Sequence, residues 1–126
     1  MNLRYLSLSL LLAFIFACPQ ERSKPRHSTA SLIGTYIANS REINGTIILR
    51  EDGTYLHTFT QNEQPQREEG RWTAITDTAG TAIVFDGFTP DWMGRGQTKW
   101  IPYIEEQGGR VAISADPDKA GYFVKQ

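Results

Sequence analysis

The sequence predicts an all-β domain, an antiparallel meander of about eight strands that is closed or nearly closed into a small barrel. From residue 32 onward, short runs rich in β-branched and aromatic residues recur between turn signals, and no long helical period interrupts them. The links between these runs are short, which favours antiparallel neighbours. Because closing the sheet removes unpaired edges that invite aggregation, we expect a barrel rather than an open sheet.

The first 17 residues, MNLRYLSLSLLLAFIFA, have the order of a secretory signal peptide. One positive charge at Arg4 precedes an uncharged, leucine-rich run that ends on the small residue Ala17. The run is shorter than the ~20 apolar residues that a membrane-spanning helix needs. We therefore expect residues 1–17 to direct export and to be removed.

The next residue, Cys18, is the only cysteine of the chain. With Ala17 directly before it and Ile15 three positions before it, Cys18 resembles the lipobox cysteine of bacterial lipoproteins, which implies lipidation with acyl chains such as palmitate. The alternatives are a free thiol after a simple signal peptide and a buried residue of an uncleaved helix. A solitary thiol would be reactive in an oxidising compartment, whereas lipidation removes it. Two or three acyl chains on one residue would anchor the protein to a membrane durably.

Residues 18–31 are then expected to form the lipidated end and a flexible tether. After the cysteine they contain two prolines, no aromatic residue and a net charge of plus two, so they cannot bury enough apolar surface to fold. The barrel domain is expected at 32–126, on the periplasmic side of a bacterial cell envelope, at the outer membrane. Pro19 and Gln20 do not decide between the inner and the outer membrane.

Eight runs define the predicted strands. They are GTYIA (34–38), GTIILR (45–50), TYLHTFTQ (54–61), EGRWTAIT (69–76), TAIVFD (81–86), TKWIPYIE (98–105), RVAISA (110–115) and YFVK (122–125). Gly53 and the pair Gly108-Gly109 suit tight hairpin turns, and we expect a loop at 39–44 rather than a hairpin at Asn44-Gly45. Pro102 cannot donate to a ladder, so the sixth strand should lie at an edge or carry a bulge there.

Alternation along the strands predicts which side chains meet inside the barrel. On the third strand, Tyr55, His57 and Phe59 share one face. The same argument places the following pairs in phase: Trp72 with Ala74, Ile47 with Leu49, Ile83 with Phe85, Trp100 with Ile104, Val111 with Ile113, and Tyr122 with Val124. Several of these inward residues are large rings, which predicts a filled interior.

Three short motifs resemble those of small lipocalin-like lipoprotein domains. They are Gly34-Thr35-Tyr36, Glu51-Asp52-Gly53-Thr54-Tyr55 and Gly70-Arg71-Trp72, which together span about the first half of the domain. In the lipocalins proper the Gly-x-Trp stands on the first strand, whereas here it comes later. The resemblance implies a small barrel, but no ligand-binding residue can be carried over from it. Physically, a glycine followed by an aromatic residue indicates a strand whose ring packs into the barrel end.

Composition and motifs argue against several classes of chemistry. The domain has nine basic and thirteen acidic residues, so no nucleic acid is expected as a partner. His57 is its only histidine, and no G-x-S-x-G motif accompanies it, so a structural role is favoured over catalysis. With a lipidated cysteine, one histidine cannot furnish a zinc site. We expect no enzymatic activity, metal or cofactor, unless a cleft brings Asp86 or Asp91 against His57.

The longest predicted connection, DGFTPDWMGRG at 86–96, carries the candidate binding residues. Phe88, Trp92, Met93 and Arg95 are of the types that dominate contact surfaces, although the same segment could simply cover one barrel end. We therefore expect a lipid-anchored, non-enzymatic interaction module whose barrel end or 86–96 loop meets an envelope protein. The alternative is a carrier or sensor that holds a small apolar ligand inside the barrel.

Overall fold

The computed structural model describes residues 26–41, 43–88, 99–116 and 121–126, and they form an all-β fold. One short helix precedes nine antiparallel strands. The elements are α1 (Thr29–Leu32), β1 (Gly34–Ala38), β2 (Thr46–Leu49), β3 (Thr54–Gln61), β4 (Gln64–Asp77), β5 (Gly80–Asp86), β6 (Lys99–Trp100), β7 (Ile104–Gln107), β8 (Arg110–Asp116) and β9 (Gly121–Lys125). The predicted fold class is confirmed.

The sheet is a single curled meander with the strand order β6-β5-β4-β3-β2-β1-β9-β8-β7. Its two ends, β6 and β7, are consecutive in the chain and are joined only by residues 101–103. Within this joint, the backbone N–H of Ile83 on β5 donates to the carbonyl of Pro102 at 3.0 Å, and the N–H of Ser114 on β8 donates to the carbonyl of Tyr103 at 3.2 Å. The sheet therefore curls until one kinked segment contacts both of its edges.

One predicted strand is divided into two observed strands, and Pro102 explains the division. The sixth predicted run ends as β6 at Trp100 and resumes as β7 at Ile104, with Pro102 between them. A proline has no N–H to donate, so the ladder is interrupted at the position expected from the sequence. We call residues 99–107 the seam, because β6 pairs with β5 and β7 pairs with β8.

The helix α1 covers one end of the barrel. Its Leu32 is fully buried in the core, and the carbonyl of Leu32 accepts a hydrogen bond of 2.6 Å from the Tyr36 hydroxyl. The Lys125 ammonium donates to the Ser31 carbonyl at 2.8 Å, which ties the last strand to the helix. Part of the segment predicted as tether is thus folded against the barrel. No helix within the described ranges has the length and apolar character to cross a membrane.

The predicted inward faces are confirmed for most strands. Tyr55, Ile47, Leu49, Ile83 and Phe85 are among the core residues, together with Trp72, Trp100, Ile104 and Ile113. The prediction for the last strand was wrong. On β9, Phe123 is fully buried, while Tyr122 and Val124 lie on the opposite face and are partly exposed. The four-residue run YFVK is apolar on both faces, so its alternation did not determine which face turns inward.

The fourth strand is longer than the sequence indicated. It begins at Gln64 rather than near residue 69 and pairs with β3 through a two-residue turn, Asn62-Glu63. Both turn residues have positive φ, 50° and 62°, although neither is glycine. The polar segment 64–68 has weak strand propensity, but its pairing with β3 overrides that preference. As a result, the β3–β4 hairpin extends past the neighbouring strands.

Candidate functional site: the open end of the barrel

The helix α1 covers one end of the barrel, and no helix within the described ranges lies across the other end. Because the strands alternate in direction, the β1–β2 loop, the β3–β4 hairpin and the chain leaving β5 lie at the end opposite to α1. The inward side chains of β3 and β4 nearest this end include His57, Phe59, Gln66 and Glu68. We call this end the open end and take it as the candidate functional site.

A continuous stack of rings fills the barrel beneath the open end. The His57 ring lies between Phe59 and Phe88, with centroid separations of 4.6 and 4.7 Å and interplanar angles of 19° and 23°. Phe88 in turn stacks on Trp100 at 4.6 Å, and Trp100 stacks on Phe85 at 5.1 Å. These separations leave no room for a ligand between the rings, so this part of the interior is occupied by the protein's own side chains.

His57 is a buried histidine held by a carboxylate. It is 2% exposed, and its Nδ1 lies 3.4 Å from Oε2 of Glu68, the residue directly opposite on β4. Burial lowers the pKa of His57 to about 4, so the ring is neutral at ordinary pH. The carboxylate then favours the tautomer in which Nδ1–H donates to Glu68. Nε2 is buried without a hydrogen-bond partner.

A cleft of about 520 Å³ lies at the rim of the open end, between the β1–β2 loop and the β3–β4 hairpin. Its lining combines amide, hydroxyl and guanidinium groups with one phenyl ring: Asn44, Gly45, Thr46, Thr58, Phe59, Thr60, Pro65, Gln66 and Arg67. Phe59 belongs both to this lining and to the stack on His57. The cleft therefore presents polar groups within a lining surface that is more apolar than polar, and its one aromatic contact is supported from inside the barrel.

The Asn44 side chain extends the β2–β3 hydrogen-bond ladder at the edge of this cleft. Its Nδ2 donates to the Thr60 carbonyl at 3.1 Å, and its Oδ1 accepts from the Thr60 N–H at 2.7 Å. The carboxamide thus satisfies the edge of β3 just beyond the last β2–β3 pair, Thr46 and Thr58. Gly45 beside it has φ of 106°, and a Cβ there would lie 2.2 Å from the Thr58 carbonyl oxygen. This close approach requires glycine.

Of the sequence-predicted site residues, only Phe88 lies within the described residues. Phe88 is fully buried and packs against Tyr55, Phe85 and Trp100, so its side chain supports the open end from within. Trp92, Met93 and Arg95 lie outside the described residues, as does Cys18. Their expected roles remain predictions.

Sequence reasoning missed the residues that build the open end. Glu68 and Asn44 were not candidates, because neither has a pattern of its own. The β3–β4 register, which follows from the Asn62-Glu63 turn, places Glu68 opposite His57. A hairpin signal at residues 62–63 would have found this pair, but the usual glycine is absent from the turn.

Of the two aspartates considered as partners of His57, Asp86 lies within the described residues and Asp91 does not. Asp86 is exposed on the outer face, opposite Arg71, and does not face His57. Over the described ranges, no group of three or more histidine, cysteine, aspartate or glutamate side chains is placed to hold a metal ion. Comparisons of the chain with protein-family models, with curated proteins and with solved structures find no match.

Proposed function

We propose that this protein is a lipid-anchored cell-envelope lipoprotein whose barrel is a non-enzymatic interaction module, with the open end as its contact surface. The observation that carries the proposal is the filled interior. His57, Phe85, Phe88 and Trp100 stack with ring centroids about 5 Å apart. Recognition by such a barrel takes place at its rim or on its outer wall.

The cleft beside the β3–β4 hairpin supplies suitable groups for a protein partner. Gln66 and Arg67 offer hydrogen-bond donors, Arg67 while it is also paired with Glu69, and Phe59 offers a ring that is stacked on His57. Arginine and aromatic side chains are enriched among residues that dominate binding energy. The hairpin also extends beyond its neighbours, so it can meet a partner before the barrel wall does.

The alternative function, carriage of a small apolar ligand, is less well supported. The cleft lies at the rim of the barrel, and Phe59 is the one ring in its lining. An apolar carrier would need a cavity bounded by the inward rings, which stack on one another instead. Saturable binding of fatty acid or an apolar dye to the folded wild-type protein would favour the carrier.

The anchor is proposed from the order of residues 1–18, where a charged start, an apolar run and Ala17 precede Cys18. The anchor is tested by intact mass spectrometry of the native protein. A mature chain that begins at Cys18 with a diacylglycerol and acyl mass supports it. An unmodified thiol or a retained leader contradicts it.

The contact surface is tested by photo-cross-linking in envelope extract. A photoreactive residue is placed at position 66 or 67 in the cleft, and at position 37 as an exposed control on the outer wall. We expect one discrete adduct from positions 66 and 67 and none from 37. The same adducts are compared in Trp92→Ala and Met93→Ala chains, which test the 86–96 segment separately. Equal labelling from all positions would contradict a contact surface at the open end.

A further inference from the structure

Three of the four large apolar side chains that are exposed among the described residues lie together on the outer wall. Ile75, Ile101 and Tyr103 are 46%, 50% and 36% exposed. Ile75 stands opposite Ala82 in the β4–β5 ladder, and Ala82 in turn bridges to Tyr103. The register from β4 through β5 to the seam therefore places Ile75, Ala82 and Tyr103 in one row across the outer wall.

A second row lies beside the first. Phe85 pairs with Trp100 and Ala82 with Tyr103, so the intervening register sets Val84 opposite Ile101. Val84 is partly exposed. We call the surface formed by Ile75, Val84, Ile101 and Tyr103 the seam patch. Contiguous exposed apolar side chains of this kind are a candidate contact surface for a protein or a membrane.

The seam patch has an apolar centre and a polar margin. The Tyr103 hydroxyl donates to Oδ2 of Asp77 at 3.2 Å, so the tyrosine keeps its polar tip at the edge while its ring joins the isoleucines. Tyrosine in this arrangement is typical of membrane–water interfaces. Each of these side chains exposes at most half of its surface. The patch is therefore much smaller than the ~800 Å² per partner of a stable protein–protein interface.

The chain enters the barrel near the start of β5, close in height to this patch. The backbone N–H of His27 donates to Oγ1 of Thr81 at 3.0 Å. Thr81 is buried on the inward face of β5, whereas its neighbour Ala82 faces the outer side of the sheet, where the patch lies. The proposed anchor, Cys18, comes eight residues before Arg26 in the sequence. Even fully extended, eight residues span no more than about 29 Å. An anchor at Cys18 would thus hold the chain entry within that distance of the bilayer.

We propose that the seam patch rests on the phospholipid bilayer, with the Ile75, Ile101 and Tyr103 side chains at the boundary between headgroups and acyl chains. The inference rests on the proposed lipid anchor for its geometry. In this orientation the barrel lies on its seam side, so its two ends face sideways and the open end stays accessible to a partner. The basic residues Arg22, Lys24 and Arg26 between anchor and barrel favour anionic headgroups.

The test uses the full chain, purified in its native processed form and reconstituted into phosphatidylethanolamine–phosphatidylglycerol vesicles. A photoreactive benzophenone amino acid is placed at position 75 or 101, with position 37 as the matched control. Ile37 is 44% exposed but lies on β1, away from the seam. We expect several-fold more phospholipid adduct from positions 75 and 101 than from 37.

Two results would overturn the proposal. One is equal lipid labelling at positions 37, 75 and 101, which would mean that the barrel has no preferred side toward the membrane. The other is labelling at 75 and 101 that yields protein–protein adducts in place of lipid adducts, which would assign the patch to a second copy or another protein. Spectra of folded protein from each variant confirm that the substituted chains are intact.

One further measurement on the same samples tests the anchor proposal independently of the seam-patch proposal. The mass of the N-terminal peptide reports whether Cys18 carries lipid. A lipidated Cys18 with equal labelling at all three positions removes the seam-patch proposal and leaves the anchor. An unmodified Cys18 removes the anchor, and lipid labelling confined to positions 75 and 101 on added vesicles then still supports the patch.

Discussion

Nδ1 of His57 lies 3.4 Å from Oε2 of Glu68, directly across the β3–β4 pair, while the opposite ring nitrogen is buried without a partner. The ring is enclosed by Phe59, Phe88 and the edge of Phe123. The neutral ring fits this apolar surrounding, whereas a protonated ring would carry charge into it. His57 therefore links the packing of the open end to pH.

The first prediction concerns acid stability. Burial lowers the pKa of His57 from 6.5 to about 4, so the unfolded chain binds a proton more readily than the folded one. The stability due to His57 is fully present above pH 6.5 and is lost as the pH falls from 6.5 to 4, up to about 3 kcal/mol in total. Urea unfolding between pH 4 and 7.5 measures this loss.

The control for this prediction is His57→Gln, which removes the titrating ring and keeps a polar side chain of similar reach. Its free energy of unfolding should depend less on pH between 4 and 6.5 than that of the wild type. Parallel pH profiles for the two chains would show that His57 is not the group responsible.

Phe88→Ala should be strongly destabilising although the sequence places Phe88 in a loop. Its side chain is fully buried against His57 and Trp100, so truncation removes apolar contacts and leaves a cavity, at a cost of about 3–5 kcal/mol. Phe59→Ala, at a partly exposed position, is the matched control and should cost less. Chemical denaturation ranks the two, and a neutral Phe88→Ala would place Phe88 outside the core.

Asn44→Ala should loosen the β3 edge at the open end. Two hydrogen bonds to the Thr60 backbone are lost, each with a net contribution of about 1 kcal/mol. Amide exchange at Thr60 should accelerate. Asn39→Ala is the control, because its Oδ1 accepts from the Tyr122 N–H instead and should affect exchange at Tyr122. Unchanged Thr60 exchange in Asn44→Ala would show that the carboxamide does not hold this edge.

Gly70→Ala tests a close approach inside β4. A Cβ at position 70 would lie 2.3 Å from the Asp86 carbonyl oxygen and 2.8 Å from Cε1 of Tyr55, so overpacking should cost about 1–3 kcal/mol. Gly109→Ala separates this effect from backbone strain. Gly109 has φ of 78° with open space around it, so alanine there meets only the conformational penalty of about 1–2 kcal/mol.

In these variants the Tyr55 ring is the useful reporter. The NMR chemical shifts of the Tyr55 ring protons should change in Gly70→Ala and stay constant in Gly109→Ala. A Tyr55 signal unaffected by Gly70→Ala would mean that β4 and β5 can separate enough to admit the methyl group.

Much of the barrel was predictable because its causes are local. Alternation along TYLHTFTQ determined that Tyr55 and His57 point inward together, and the missing N–H of Pro102 determined where the seam breaks. Glycines at 53, 108 and 109 marked turns whose positive φ the structure contains. The end of a strand could be predicted wherever an apolar run ended at one of these turns.

The sequence by itself determined the strand count to within one, the antiparallel meander and most of the inward faces, since these depend on neighbouring residues. Only the tertiary structure decided that polar residues 64–68 extend β4, that Glu68 meets His57, and that Ile75, Ile101 and Tyr103 share one outer surface. The first two relations follow from the β3–β4 register, which a turn without glycine sets, and the third follows from the register between β5 and the seam, which lie apart in the chain. Alternation within one strand does not determine which residues of a neighbouring strand stand opposite it.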